Sequence, residues 1–183
     1  MIIGIKITDM SIKKKYINII LIIIISIFIS LFFLYKRNIV DESITKELDI
    51  DIPIFSTNLL LDTNKILSDK DLSNSVSLIN FFASWCIPCK AEHSLLMDIK
   101  KEIPDLLVIG FNHKDKKNDA INFLNNDGNP YDLIGIDNGD IGYKFGVMGL
   151  PETYITNEKG KIIFKHTGPL TKKIIKNQIL PLI

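Results

Sequence analysis

The sequence predicts an α/β fold, a mixed central sheet flanked by helices, following one N-terminal apolar helix. Three observations carry this. Apolar runs of strand length alternate with helix-period segments through the second half of the chain. The last two strand-like runs are joined by a tight turn signal, which adds antiparallel strands to a parallel β-α-β start. One long apolar stretch, Ile17–Tyr35, stands alone near the N-terminus, broken only by Asn18, Ser26 and Ser30.

Nineteen helical residues at 1.5 Å each reach about 28 Å, close to the thickness of a bilayer core. The stretch exceeds an ordinary signal-peptide core, and no small-x-small cleavage site follows it. Tyr35, Lys36 and Arg37 follow instead, as interfacial anchors. The reading is an uncleaved signal anchor, with a cleaved signal peptide as the alternative. Lys6 and Lys13–Lys15 precede the span, and Lys36, Arg37 and Lys46 follow it, which places the N-terminus in the cytoplasm by a small margin. The organisation expected is a short cytoplasmic N-terminus (1–16), the transmembrane anchor (17–35), a linker (36–50) and one domain (51–183). The remainder from Asn38 is long enough for one ordinary core. A formal net charge of +1 leaves no electrostatic footprint for nucleic acid.

Within the domain, Ile52–Phe55 reads as an edge strand and Ser68–Leu72 as a short helix or turn. Val76–Phe82 is a buried strand, Pro88–Glu102 an amphipathic helix that Pro104 stops, and Leu106–Phe111 a second strand. Asp115–Asn126 repeats apolar residues at helical spacing and ends at Asp127-Gly128-Asn129-Pro130. Gly139–Phe145 is a short helix. Thr153–Thr156 and Lys161–Lys165 are strands around the turn Asn157–Gly160, and Leu170–Leu182 is the last helix. This order is a thioredoxin-like plan.

The only two cysteines fall at the hand-over from the first strand to the first helix, in Phe82-Ala83-Ser84-Trp85-Cys86-Ile87-Pro88-Cys89. Two thiols at this spacing close a small reversible disulfide. A helix N-terminus beside Cys86 favours the thiolate, the nucleophilic form. Pro88 suits the first helical turn. Structural zinc takes four ligands, and the three histidines, His93, His113 and His166, lack the spacing to complete a set. A purely structural disulfide stays open, although so short a loop removes little unfolded-state entropy. Glu92 reads, on its residues alone, as a solvated helix position, and His93 as a surface helix residue. Lys114–Lys117 reads as a solvated loop or helix start.

Trp85–His93 resembles the active-site segment of the CcmG, or DsbE, family: membrane-anchored thioredoxin-like thiol:disulfide oxidoreductases of bacterial cytochrome c biogenesis. Asn112–Asp115, Ala120-Ile121 and Gly128–Tyr131 resemble that family's central insert. Gly146-Val147-Met148-Gly149-Leu150-Pro151-Glu152-Thr153 is similar to its G-V-x-G-x-P-E-T signature. The resemblance runs from about Ile50 to the C-terminus. It departs at Met148, where the family often has tyrosine.

The resemblance implies roles. Cys86 would be the attacking, more exposed thiol and Cys89 the buried resolving thiol of a redox-active disulfide. Pro151 would be a cis-proline facing it, Glu92 and Glu152 the acidic active-site residues, and Trp85 a neighbour of the cysteines. The activity implied is a periplasmic reductase keeping the haem-binding cysteines of apocytochrome c reduced, directly or through a partner thiol protein. A membrane electron donor of DsbD or CcdA type would recharge it at the inner membrane. No metal or organic cofactor is implied. A general extracytoplasmic reductase, an oxidase and a copper chaperone using Met148 remain alternatives.

Overall fold

The computed structural model describes residues 16, 17, 19–32 and 48–183. Residues 1–15, Asn18, 33–35 and 36–47, on which the expected N-terminal segment, parts of the apolar span and most of the linker fall, lie outside the described residues. The chain divides into two compact units, Met1–Lys46 and Glu47–Ile183.

In the first unit residues 19–32 form a helix whose side chains are all exposed, though all but Ser26 and Ser30 are apolar. Ser26 Oγ donates to the Ile23 carbonyl at 3.0 Å, so one of the two polar groups is satisfied within the helix. Among the described residues no helix is long and apolar enough to cross a membrane.

The second unit is built on a six-stranded mixed sheet. Its strands are β1 (Ile50–Asp51), β4 (Ser77–Phe82), β5 (Leu107–His113), β6 (Leu133–Asp137), β7 (Glu152–Thr156) and β8 (Lys161–Thr167), in the order β1-β8-β7-β4-β5-β6. β4, β5 and β6 run parallel, while β7 is antiparallel to β4 and β8 to β7. The predicted β-α-β start and closing hairpin are both present. Helix α1 (Ile87–Glu102) follows β4, α2 (Lys117–Asp127) follows β5, and α3 (Asp140–Phe145) follows β6. The C-terminal segment is helical from Lys172 to Leu182, wider over Ile175–Ile179 and tighter at Leu180–Leu182. Gly160, at φ +72°, closes the β7–β8 turn with its N–H on the Asn157 carbonyl at 3.0 Å.

Three features depart from the sequence reading. Ile52–Phe55 is not a strand. The pairing is Ile50 with Ile162 and Asp51 with Lys161, and it stops before Pro53, which has no N–H to give a ladder. Phe55 turns inward and packs edge-on against Phe111, ring centres 5.2 Å apart. A small hairpin, β2 (Ser56–Asn58) with β3 (Ile66–Ser68), went unpredicted, because three-residue strands are too short to show a period. It shields the edge of β6: Leu60 N–H donates to the Ile134 carbonyl at 2.8 Å, and Leu59 bridges to Gly135. β6 itself was missed because Gly135 interrupts its short apolar run. Gly135 is required there, since a Cβ would lie 2.9 Å from both the Phe111 ring and the Thr57 methyl.

Alternation along β4 and β7 divides the interior into two layers. Leu78, Phe82 and Ile155 face α1 and α2, in a cluster that includes both cysteines. Ile79, Phe81 and Tyr154 face the other way, with Phe55, Phe111 and Phe145. Phe81 and Phe111 stack at 4.9 Å. The turn that carries the cysteines is therefore seated on a rigid, fully buried central strand.

Candidate active site

Cys86 is the N-cap of α1 and Pro88 lies in its first turn, as predicted. Cys86 and Cys89 are disulfide-bonded, with Cα atoms 5.3 Å apart. The Cys86 sulfur also accepts the Cys89 N–H at 3.2 Å. One of the free backbone donors of the helix end thus points at the sulfur that would carry negative charge after reduction. The expected contrast in exposure is not seen in this disulfide form: both cysteines are buried.

Glu92 corrects the solvated-face reading. It is only 1% exposed, one turn beyond Cys89 on the same face of α1. Its Oε1 accepts from Asn80 Nδ2 at 2.9 Å and its Oε2 from the Leu170 N–H at 2.6 Å. Burial pushes the carboxyl up to about 7, against the opposing pull of those two donors. Asn80 also donates to Thr153 Oγ1 at 3.1 Å and accepts from the Tyr131 hydroxyl at 2.8 Å. Burial and the nearby Glu92 charge hold the Tyr131 phenol well above its ordinary range.

Glu152 is buried as well, but on the opposite layer. Phe81 is its partner in β4, whereas Asn80, beside Glu92, pairs with Thr153. Glu152 accepts from the Met148 N–H at 3.0 Å, Thr167 Oγ1 at 3.1 Å and the Tyr154 hydroxyl at 2.6 Å, and it pairs with Lys165 at 3.1 Å. Burial and the Glu152 carboxylate raise the Tyr154 phenol. The two acidic residues are thus not brought together: Glu92 lies one turn along the helix from Cys89, while Glu152 anchors the Gly146–Pro151 segment. The Leu150–Pro151 bond is cis. Leu150 packs against the cluster that holds both cysteines, and Met148 is 88% exposed.

Trp85 is 59% exposed, and its indole N–H donates to the Lys114 carbonyl at 3.1 Å. Asp115 fastens the residue before it: Oδ2 accepts the Ser84 N–H at 2.6 Å and Oδ1 the Ser84 hydroxyl at 2.9 Å. A cleft of about 490 Å³ opens beside Trp85, walled by Ser84, Lys114, Lys116 and Asn138. Lys114 is exposed, in accord with its reading. His93 is not a surface residue: it is 4% exposed, bonds the Gly128 carbonyl through Nε2 at 2.9 Å, and packs on Phe123 at 4.6 Å. Among the described residues no group of three or more His, Cys, Asp or Glu side chains is placed to hold a metal ion.

Asn80 was given no role from the sequence, and Asp115 and Tyr131 entered only as members of the segments that resemble the central insert. Asn80 had a signal, a polar residue inside an otherwise apolar strand, which must find partners when buried. The segments of Tyr131 and Asp115 had a family-like pattern, but nothing local pointed to their partners, which are distant in sequence.

A parallel β-α-β start, an antiparallel hairpin and a C-x-x-C disulfide heading the first core helix make up the thioredoxin-like arrangement, whose chemistry is dithiol–disulfide exchange. Comparison with known proteins agrees. Residues 50–165 match the AhpC/TSA family. The thiol:disulfide interchange protein CycY of Rhizobium leguminosarum bv. viciae is 40% identical over 116 residues, 63% of this chain and 62% of CycY, so the chain spans just under two thirds of that relative. DsbE of Allochromatium vinosum is 38% identical over 136 residues, 74% of this chain and 75% of DsbE. A putative DsbE from Chlorobium tepidum has a similar crystal structure, with a TM-score of 0.65 at 24% identity, covering 74% of this chain and 97% of that one. The chain belongs to the AhpC/TSA family and, within it, to the thiol:disulfide interchange proteins of DsbE type.

Proposed function

We propose that the protein is a periplasmic, membrane-anchored reductase that serves cytochrome c maturation. The observation that carries this reading is the Cys86–Cys89 disulfide at the head of α1 with a buried carboxyl one turn along, in a chain closely related to DsbE proteins.

In the reduced form, Cys86 attacks one sulfur of a target disulfide as the thiolate. A Cys86–target mixed disulfide forms and the other target sulfur leaves as a thiolate, to be protonated. Cys89, deprotonated, then attacks the Cys86 sulfur. The target's second sulfur leaves, and the Cys86–Cys89 disulfide remains. Two electrons and two protons pass from the protein to the target. Glu92 takes the Cys89 proton: a carboxyl poised near 7 exchanges protons close to working pH. Glu152 fixes the segment before Pro151, whose flanking backbone receives the extended target strand. Trp85 forms one wall beside the reacting sulfurs.

The targets are the haem-binding cysteines of apocytochrome c, reached directly or through a partner thiol protein. A membrane donor of DsbD or CcdA type returns the electrons. Ile17–Tyr35 anchors the chain: the exposed apolar side chains of 19–32 find their solvent in lipid, where a helix satisfies its own backbone. The test is gene deletion with complementation. Wild type restores covalent haem attachment to c-type cytochromes and Cys86→Ala does not. Full maturation with Cys86→Ala refutes the proposal.

A further inference from the structure

The Asn80 amide is fully occupied. Its two N–H groups go to Glu92 Oε1 and Thr153 Oγ1, and its oxygen takes the Tyr131 hydroxyl. All four residues are buried. A side-chain amide turned by 180° would present its oxygen to the Glu92 carboxylate and its NH2 to the Tyr131 hydroxyl. The hydroxyl donated by Tyr131 holds it in the donating orientation. Tyr131 is itself fixed by stacking on Phe82, ring centres 4.7 Å apart. It belongs to the segment leading into β6, far in sequence from both the cysteines and Asn80.

This arrangement limits where a proton on Glu92 can sit. A carboxylate has about four lone-pair positions. Asn80 takes one on Oε1 and the Leu170 amide one on Oε2. A proton must occupy a position that neither donor uses. Cys89 lies three residues earlier on the same helical face. The two donors therefore fix one position on each oxygen and leave one on each for a proton.

We infer that Asn80 and Tyr131 are positioning residues for the thiol–disulfide reaction, acting on Glu92 rather than on the target. The inference rests on the reading of Glu92 as proton carrier. Other titratable groups around Glu92 are few. The cysteines do not titrate in the disulfide form. His93, on α1, meets the Tyr131 ring edge-on, 6.4 Å between centres. His166 on β8 pairs across from Thr153, and burial depresses its imidazole. Glu152 and Lys165 lie toward the other layer.

The experiment is an infrared pH titration of the protonated-carboxyl stretch in the oxidised full chain. Wild type is expected to lose a buried-carboxyl band with a midpoint near pH 7. Glu92→Gln removes that band and so assigns it. Asn80→Ala moves the midpoint up by about one pH unit, since a donor to the charged form is gone. Tyr131→Phe moves it the same way by less, and it keeps the ring stack, so it serves if Asn80→Ala does not fold. His166→Gln leaves the midpoint in place. A midpoint unmoved in Tyr131→Phe and Asn80→Ala, with the band still lost in Glu92→Gln, overturns this inference alone. A band that survives Glu92→Gln overturns the proton-carrier reading beneath it.

Discussion

Replacing Glu92 by glutamine separates the cost of a buried charge from the contacts that hold it. Burial raises the carboxyl from 4.5 to about 7. At about 1.4 kcal/mol per pH unit, the folded state disfavours the ionised form by about 3 kcal/mol. In the unfolded chain the group ionises near its ordinary value. Between roughly pH 4.5 and 7 the folded state therefore binds more protons, and this group's contribution to stability falls as pH rises. It is intact below the unfolded value and lost on passing through the folded one. Glutamine has no such dependence. It keeps one acceptor but turns an NH2 toward Asn80 or the Leu170 amide, which costs on the order of 1–3 kcal/mol at every pH. The variant should be less stable than wild type at pH 5 and should recover about 2.5 kcal/mol relative to it by pH 8. Urea unfolding of both oxidised proteins at half-unit steps measures the difference, and the contributions of His166 and other common groups cancel. Parallel stability–pH curves for the two proteins would refute the reasoning.

Glu152→Gln should destabilise by about 2–4 kcal/mol in urea unfolding, since it leaves Lys165 without its carboxylate and reverses one donor contact with Tyr154, Met148 or Thr167. The same variant should slow target reduction less than Glu92→Gln does, because its contacts hold a segment rather than a proton. Asp115→Ala should cut the rate of attack on a model disulfide by about tenfold or more, as Ser84 and the turn carrying Cys86 lose their tether. Stopped-flow measurement with wild type alongside reads that loss directly.

The parts of the fold that the sequence made legible are those with a strong local period or a turn signal. Val76–Phe82 is a run of apolar residues because β4 is covered on both faces. Asn157–Gly160 is legible because its glycine needs a left-handed backbone. The hairpin β2–β3 was not, since its strands are held by β6 rather than by their own pattern. Ile52–Phe55 looked like a strand only because its apolar residues serve different neighbours. The cysteines stood out by count and spacing. Their chemistry did not depend on them alone: Glu92 and His93 both looked exposed on a helix with a weak apolar stripe, and only the closing Leu170 turn and the Gly128 loop bury them. Asn80, Glu92, Tyr131 and Thr153 come from four separate segments, and no local pattern records their meeting.

The proposed mechanism requires that Cys86 attack and Cys89 resolve. Cys89→Ala removes the resolving thiol, so the mixed disulfide at Cys86 persists and its partners can be identified by mass spectrometry. Apocytochrome c or a dedicated cytochrome-maturation thiol protein should be captured through Cys86, and Cys86→Ala should capture nothing. Capture through Cys89 in the Cys86→Ala variant, with none through Cys86, would contradict it.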